Sequence, residues 1–230
     1  MRPVCWASDI KHQQWVEIWK SKVEKREPMT IMIDHGEKNI KRSCLITMET
    51  LLSHEEHERR SKYLRTKDQR DYLIRTAILR ELLGIILNED ATSLKFLRNH
   101  NGKPFLASSA KIQFNVTHSS SLTLIAFHQN QMVGIDVERI NEDLNWGPIV
   151  DRWFPTTVRS QLYTLPLEYQ TKKFFELWCR FEAVLKCNGV GIGGLQESNT
   201  ELVDAKETIE TIEVPSGYVA KLAIKSGQTN

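Results

Sequence analysis

The sequence lacks long apolar runs and closely spaced cysteines. No apolar run approaches the roughly 20 residues that a membrane-spanning helix needs, so we expect no membrane association. The first 15 residues lack the apolar core of a secretory signal, which favours a cytoplasmic protein. The four cysteines show no CxxC spacing. This pattern argues against a disulfide framework and predicts reduced thiols.

The charges are unevenly distributed along the chain. Residues 1–115 hold 21 lysines and arginines against 15 acidic residues, whereas the remainder holds 10 against 14. Eight basic residues lie between Arg59 and Arg80. Such a segment attracts phosphates, nucleic acid or an acidic protein surface. Nucleic acid is the weaker alternative, because the overall pI of about 8.3 is modest and no aromatic-basic RNA motif is present.

Periodicity along the chain predicts an α+β fold. Helical spacing is found at 11–27, 52–64, 68–87 and 168–188, and the second of these helices begins with a capping box of Ser53 and Glu56. Runs typical of strands occupy 29–33, 44–48, 94–98, 112–117, 122–127, 132–138, 201–204 and 217–224. The strands at 122–127 and 132–138 are predicted to form a hairpin. Pro148 and Pro155 break up the segment that follows it.

Two acids alternate with apolar residues in "VGIDVERI", residues 133–140. The period of two places Asp136 and Glu138 on the same face of a strand, about 6.5 Å apart at their Cα atoms. The extra methylene group of the glutamate lets its carboxylate lean toward the aspartate, so the pair can share one cation. Alternatively, both acids face solvent at the end of a strand.

A third acid, Glu182, lies in the apolar helix sequence "FFELWCRFEAVLK". Lys186 follows one turn later on the same side of this helix. The pair is either a surface salt bridge or a third oxygen ligand beside an ammonium group. Three carboxylates suit Mg²⁺, which takes its remaining ligands from water and substrate phosphates. Zinc is disfavoured because the histidines and cysteines show no ligand spacing.

Four motifs together resemble the Sfp-type 4′-phosphopantetheinyl transferases. They are "NGKPFL" (101–106), "FNVTHSS" (114–120), "VGIDVE" (133–138) and "WCRFEAVLKCNGVGI" (178–192). The resemblance implies a Mg²⁺-dependent enzyme, with Mn²⁺ as a possible substitute. It would transfer the 4′-phosphopantetheine arm of coenzyme A to a serine of an apo acyl or peptidyl carrier protein, releasing adenosine 3′,5′-bisphosphate. The sequence does not identify the carrier.

The resemblance also implies a fold and a set of site residues. The fold is a pseudo-twofold pair of similar α/β halves, residues 1–130 and 131–230, in a monomer that holds coenzyme A in the cleft between them. The metal ligands would be Asp136, Glu138 and Glu182. Glu182, or a water molecule that it holds, would take the serine proton, and Lys186 would support the leaving phosphate. The coenzyme A phosphates would be bound by Arg59, Arg98, Lys103, Thr117 and His118.

Three residues depart from the family pattern. Phe181 replaces the lysine that usually precedes the helix glutamate, Thr117 replaces serine, and Val158 replaces an expected glutamate. The first change removes a positive charge near the predicted metal. It keeps open the alternative of a catalytically impaired relative that binds coenzyme A or carrier proteins. Because the predicted ligands and basic residues are retained, we expect an active enzyme.

Overall fold

The computed structural model describes residues 12–36, 40, 42–108, 110–190 and 207–225. The helices in these ranges are α1 His12–Lys25, α2 Arg42–Glu49, α3 His54–Ser61, α4 Thr66–Leu87, α5 Gly147–Trp153, α6 Thr156–Tyr163 and α7 Leu167–Asn188. The strands are β1 Met29–Asp34, β2 Phe96–Arg98, β3 Pro104–Leu106, β4 Ile112–Ser119, β5 Leu122–Gln129, β6 Met132–Arg139, β7 Thr208–Thr211 and β8 Tyr218–Lys225.

The longer strands form two antiparallel sheets of three strands each. The first has the order β1-β5-β4, and the second has the order β6-β8-β7. Strands β2 and β3 pair separately as a short hairpin. Helix α7 packs against β6 and β8 of the second sheet, and α4 contributes to the apolar core that lies on the first. The predicted α+β class is confirmed, and none of the described helices has the length and apolarity of a membrane span.

The predicted hairpin between 122–127 and 132–138 is wrong. Strand β5 pairs with β1 on one edge and with β4 on the other, so neither edge is free for β6. Strand β6 pairs with β8 instead, although only two residues separate it from β5. Asn130, in the connection, has a φ of 77°. The short link therefore carries the chain from one sheet to the other.

Side chains of β4 join the two sheets along β6. The amide oxygen of Asn115 accepts a hydrogen bond from the backbone N–H of Ile135 at 2.8 Å. The hydroxyl of Ser119 accepts one from the backbone N–H of Arg139 at 3.0 Å. These side chains take the place of backbone carbonyls for the edge of β6 that pairs with none of the described strands. We call this contact between β4 and β6 the seam.

Local predictions differ in outcome. The capping box is confirmed, since Ser53 Oγ accepts from Glu56 N at 3.3 Å and Glu56 Oε2 accepts from Ser53 N at 2.8 Å. The predicted strand 44–48 is wrong, because it lies in α2, where Cys44 and Met48 are buried one turn apart. Pro148 and Pro155 lie at the starts of α5 and α6. The predicted strand 201–204 lies outside the described residues.

The basic segment 59–80 is partly internal. Arg80 is 1% exposed and donates to Glu56 at 2.7 Å, which fastens α4 to α3. Lys67 donates to the buried Asp71 at 2.6 Å. Two of these positive charges are therefore paired with acids within the fold.

Helix α7 approaches β6 very closely at Gly134. A Cβ atom on this residue would lie 2.1 Å from the carbonyl oxygen of Ala183 and 2.1 Å from the backbone nitrogen of Cys187. Only glycine leaves room for this contact. The helix ends at Gly189, which has a φ of 68° and forms the left-handed C-cap that the sequence predicts.

Candidate active site

Asp136 lies at the centre of the candidate site. It is 2% exposed, and its Oδ1 atom accepts hydrogen bonds from Thr117 Oγ1 at 3.1 Å and from Lys186 Nζ at 2.5 Å. These contacts join β4, β6 and α7 around one carboxylate. Its other oxygen, Oδ2, is buried and has no hydrogen-bond partner among the described residues. A buried carboxylate oxygen with no partner is costly unless a ligand or cation satisfies it.

The other two predicted acids interact electrostatically with Asp136. Burial, together with the charge of Asp136, raises the pKa of Glu138 to about 7. Burial also raises the pKa of Glu182 above its ordinary value, and the charge of Asp136 adds to this effect. Burial alone would lower the pKa of Lys186, but the three acids raise it overall. The site thus gathers three carboxylates around one ammonium group.

Glu138 is held in place from across the seam. The hydroxyl of Ser119 donates to Glu138 Oε2 at 2.9 Å while it accepts from the backbone of Arg139. Among the described residues, no cluster of three or more acids, histidines or cysteines is close enough to hold a metal ion. The donor set nevertheless suits a hard cation, because all three groups are carboxylates and Asp136 Oδ2 has no hydrogen-bond partner within the ranges that the structure describes.

Predicted phosphate-binding residues lie near the acids and on the first half of the chain. Surrounding protein, followed by the charge of Arg75, lowers the pKa of His118 to about 4, and Lys186 adds to this effect. Burial and then the charge of Arg59 lower the pKa of Arg98. The charge of Lys186 thus acts on His118, and the charge of Arg59 acts on Arg98. The two arginines bring positive charges together, as an anion site requires, whereas His118 is neutral near pH 7 and offers a hydrogen-bond donor.

The ammonium group of Lys103 is engaged with backbone oxygens. It donates to the carbonyl oxygens of Val133 at 2.9 Å, Lys186 at 2.6 Å and Cys187 at 3.4 Å. Burial lowers the pKa of Lys103 to about 8. Its side chain thus reaches the end of α7, next to the predicted catalytic lysine.

Sequence reasoning missed Asn115, Ser119 and Arg75. The signal for the first two is the alternation of polar residues in "FNVTHS", which places residues 115, 117 and 119 on one face of β4. Arg75 lies 5.2 Å from the centre of the Tyr72 ring and donates to Tyr63 Oη at 3.3 Å. Within the described residues, no carboxylate pairs with its guanidinium group.

Phe181 and Val158 belong to an apolar cluster. The Phe181 ring is 5% exposed, and its centre lies 5.8 Å from that of Phe154 and 5.7 Å from that of Trp178. Val158 is half-buried against the same cluster. Both departures from the family pattern thus have a packing role.

Two protein-family models together match most of the chain. The model for the family "4′-phosphopantetheinyl transferase, N-terminal" matches residues 38–130. The model for the "4′-phosphopantetheinyl transferase superfamily" matches residues 132–221. The second match contains β6 and α7, and hence the three acids and Lys186.

Curated relatives carry the same family name. The 4′-phosphopantetheinyl transferase HetI of Nostoc sp. is 31% identical over 158 residues, which is 67% of each chain. The transferase gsp of Aneurinibacillus migulanus is 32% identical over 142 residues, covering 61% of this chain and 57% of gsp. Sfp of Bacillus subtilis is 26% identical over 188 residues, covering 76% of this chain and 82% of Sfp. The chain belongs to the Sfp-type 4′-phosphopantetheinyl transferase family.

Proposed function

We propose that the protein transfers the 4′-phosphopantetheine group of coenzyme A to a serine of an apo acyl or peptidyl carrier protein. The serine oxygen forms a bond to the β-phosphorus of coenzyme A, the bond from that phosphorus to the bridging oxygen breaks, and adenosine 3′,5′-bisphosphate leaves. Family membership supports the reaction. The observation that carries the proposal for this chain is the buried Asp136 carboxylate, which bonds to Thr117 and Lys186 and has one oxygen with no hydrogen-bond partner in the described part of the chain.

Asp136, Glu138 and Glu182 are the proposed ligands of Mg²⁺, with Mn²⁺ as a substitute. The excess of negative charge among these residues supports this assignment, because Lys186 offsets only one of three carboxylates. When bound, the ion supplies positive charge to the pyrophosphate and so reduces its repulsion of the incoming serine oxygen.

The chain's own residues would bind the coenzyme phosphates and move the serine proton. Arg59, Arg98 and His118 provide positive charge or hydrogen-bond donors, and Thr117 provides a hydroxyl group. Lys103 belongs to the same predicted set of phosphate-binding residues, but its contacts with backbone carbonyl oxygens favour a positioning role. Glu182, or a water molecule that it holds, is the proposed acceptor of the serine proton. Lys186 would stabilise charge on the leaving phosphate.

The proposed coenzyme site lies between two halves, residues 1–130 and 131–230, of a cytoplasmic monomer. Each half has a three-stranded antiparallel sheet and one helix of 22 residues, which supports a pseudo-twofold relation. The alternative is an impaired relative that binds coenzyme A or carrier proteins without transfer. The reason to consider this alternative is the replacement of lysine by Phe181. The burial of Phe181 among aromatic rings weakens the alternative, because it gives the residue a packing role.

The test is incubation with coenzyme A, Mg²⁺ and a panel of apo carrier proteins, followed by intact-mass measurement. We expect one carrier or more to gain a single phosphopantetheine group. Asp136→Ala and Glu182→Ala should abolish transfer, whereas Glu142→Ala, which changes an exposed acid, should not. Binding of coenzyme A without transfer to any carrier would favour the alternative.

A second test addresses the coenzyme phosphates. Arg59→Ala should raise the KM for coenzyme A, whereas the exposed Arg65→Ala serves as its matched control. If Arg59 contacts the 3′-phosphate, the variant and the unmodified protein should handle 3′-dephospho-coenzyme A alike. An equal loss with both substrates would contradict this contact.

A further inference from the structure

The turn between β2 and β3 contacts the end of helix α7. Asn99 Nδ2 donates to the carbonyl oxygen of Gly189 at 2.9 Å, and Asn101 Nδ2 donates to the same oxygen at 2.8 Å. Lys103 Nζ donates to the carbonyl oxygens of Lys186 and Cys187. We call residues 99–103 the clamp loop. Its three side chains reach across about 90 positions of sequence to one turn of helix.

The end of a helix is a suitable target for these donors. The last carbonyl groups of an α-helix have no partner within the helix, and they carry a partial negative charge. Here the backbone N–H groups of Val190 and Gly189 bond to the carbonyl oxygens of Leu185 and Lys186. The ammonium group of Lys103 adds a second donor to Lys186 and one to Cys187, and the two amide groups donate to the C-cap residue Gly189. Lys103 also donates to the carbonyl oxygen of Val133 in β6, so a single ammonium group ties the helix to the strand that carries Asp136 and Glu138.

The clamp loop holds its own shape. Asn99 Oδ1 accepts hydrogen bonds from the backbone N–H groups of Asn101 at 3.0 Å and of Lys103 at 2.9 Å. Gly102 supports the turn with a φ of 84° and donates to the carbonyl oxygen of Asn99 at 2.9 Å. These bonds within the loop fix its backbone and the Asn99 side chain, which lowers the entropy cost of the contact with the helix.

Lys186 connects the clamp loop to the proposed chemistry. Its carbonyl oxygen accepts from Lys103, while its own ammonium group donates to Asp136. Movement of the last helical turn would shift this ammonium group relative to β6. We propose that the clamp loop is a positioning element for the transfer reaction, in which Lys103 acts through the backbone of α7 on Lys186 and does not contact a phosphate group. This inference rests on the proposed function.

Kinetics of Lys103→Met separate the two roles. Loss of positioning should lower kcat about tenfold to a hundredfold, leave the KM for coenzyme A within about twofold, and affect coenzyme A and 3′-dephospho-coenzyme A equally. Loss of a phosphate contact should raise the KM for coenzyme A with kcat retained, which would overturn the proposal. Lys95→Met, an exposed lysine of the same hairpin region, is the matched control.

Hydrogen exchange provides a readout that does not depend on turnover. Lys103→Met should speed exchange of the amides at 184–190, with a smaller increase in Asn101→Ala and none in Lys95→Met. Unchanged exchange at these amides in Lys103→Met would refute the clamp. If the unmodified protein transfers nothing, the proposed function fails, whereas faster exchange in Lys103→Met would still establish the contact. Each kcat is calculated from the concentration of folded protein, so that a loss of stability is not mistaken for a loss of positioning.

Discussion

Gly134→Ala is the substitution for which the structure gives the most direct expectation. The new Cβ atom would lie 2.1 Å from Ala183 O and from Cys187 N, and 2.7 Å from Cys187 Cα. All three are backbone atoms of α7, so no side-chain rotation can relieve the overlap. Either the helix or the strand has to move.

The size of the displacement follows from the contact distances. Ordinary contact begins at 3.4 Å, so the closest atoms have to separate by about 1.3 Å. Overpacking of a core typically costs about 1–3 kcal/mol, and a rigid backbone contact belongs at the upper end. We expect a loss of about 3 kcal/mol in the free energy of unfolding, or about 6–12 °C in Tm for a chain of this size. Because Lys186 precedes Cys187, kcat should fall about a hundredfold.

Urea unfolding and transfer kinetics check both parts of this expectation. The control is Gly147→Ala, where the nearest atoms to a new Cβ lie at 3.7 Å, which is ordinary contact. It should change the free energy of unfolding by less than about 0.5 kcal/mol. If Gly134→Ala matched its control in stability and in kcat, the close approach of α7 to β6 would be refuted.

Three further predictions concern single side chains of the site and its surroundings. Since Glu138 keeps its proton up to a pKa of about 7 in the folded protein and up to about 4.5 when unfolded, its contribution to the stability of metal-free protein should fall as the pH rises between these values. Urea titrations of the unmodified protein and of Glu138→Gln should differ by this contribution, with the stability of the unmodified protein falling relative to the variant over that pH range. Ser119→Ala should weaken apparent Mg²⁺ affinity about tenfold, because Glu138 loses its donor; a Mg²⁺ titration of transfer measures this, and Ser119→Thr should restore it. Phe181→Lys should lower the free energy of unfolding by about 3 kcal/mol or more without raising kcat, because it buries an ammonium group among aromatic rings. Equal stability of Phe181→Lys and Phe181→Leu would contradict this packing role.

Structural features that neighbouring residues specify were predictable from the sequence. The capping box of α3 and the glycine end of α7 depend on residues a few positions apart, and both were predicted in place. The strand predicted at 44–48 was wrong because the spacing of the buried residues Cys44 and Met48 fits a helix as well as a short strand. The hairpin prediction was wrong because strands distant in sequence compete for pairing: β1 and β4 pair with the two edges of β5.

The candidate site also combines residues that the sequence predicted with contacts that only the structure reveals. The resemblance named Asp136 and Lys186, and the structure places them in contact. It could not show that Ser119 orients Glu138, because that contact depends on how two sheets meet. Lys103 illustrates the limit most clearly. Its residue type suits a phosphate group, yet its location beside a helix end presents it with three backbone carbonyl oxygens.

The packing of the three atypical residues argues against an impaired relative. Thr117 uses only its hydroxyl group to donate to Asp136 and to accept from Lys186, and serine and threonine both provide that group. Phe181 and Val158 pack into an apolar cluster that also contains Phe154 and Trp178. A lysine at position 181 would bring an ammonium group into this cluster of rings, so phenylalanine is the residue that suits the packing of α7 in this chain.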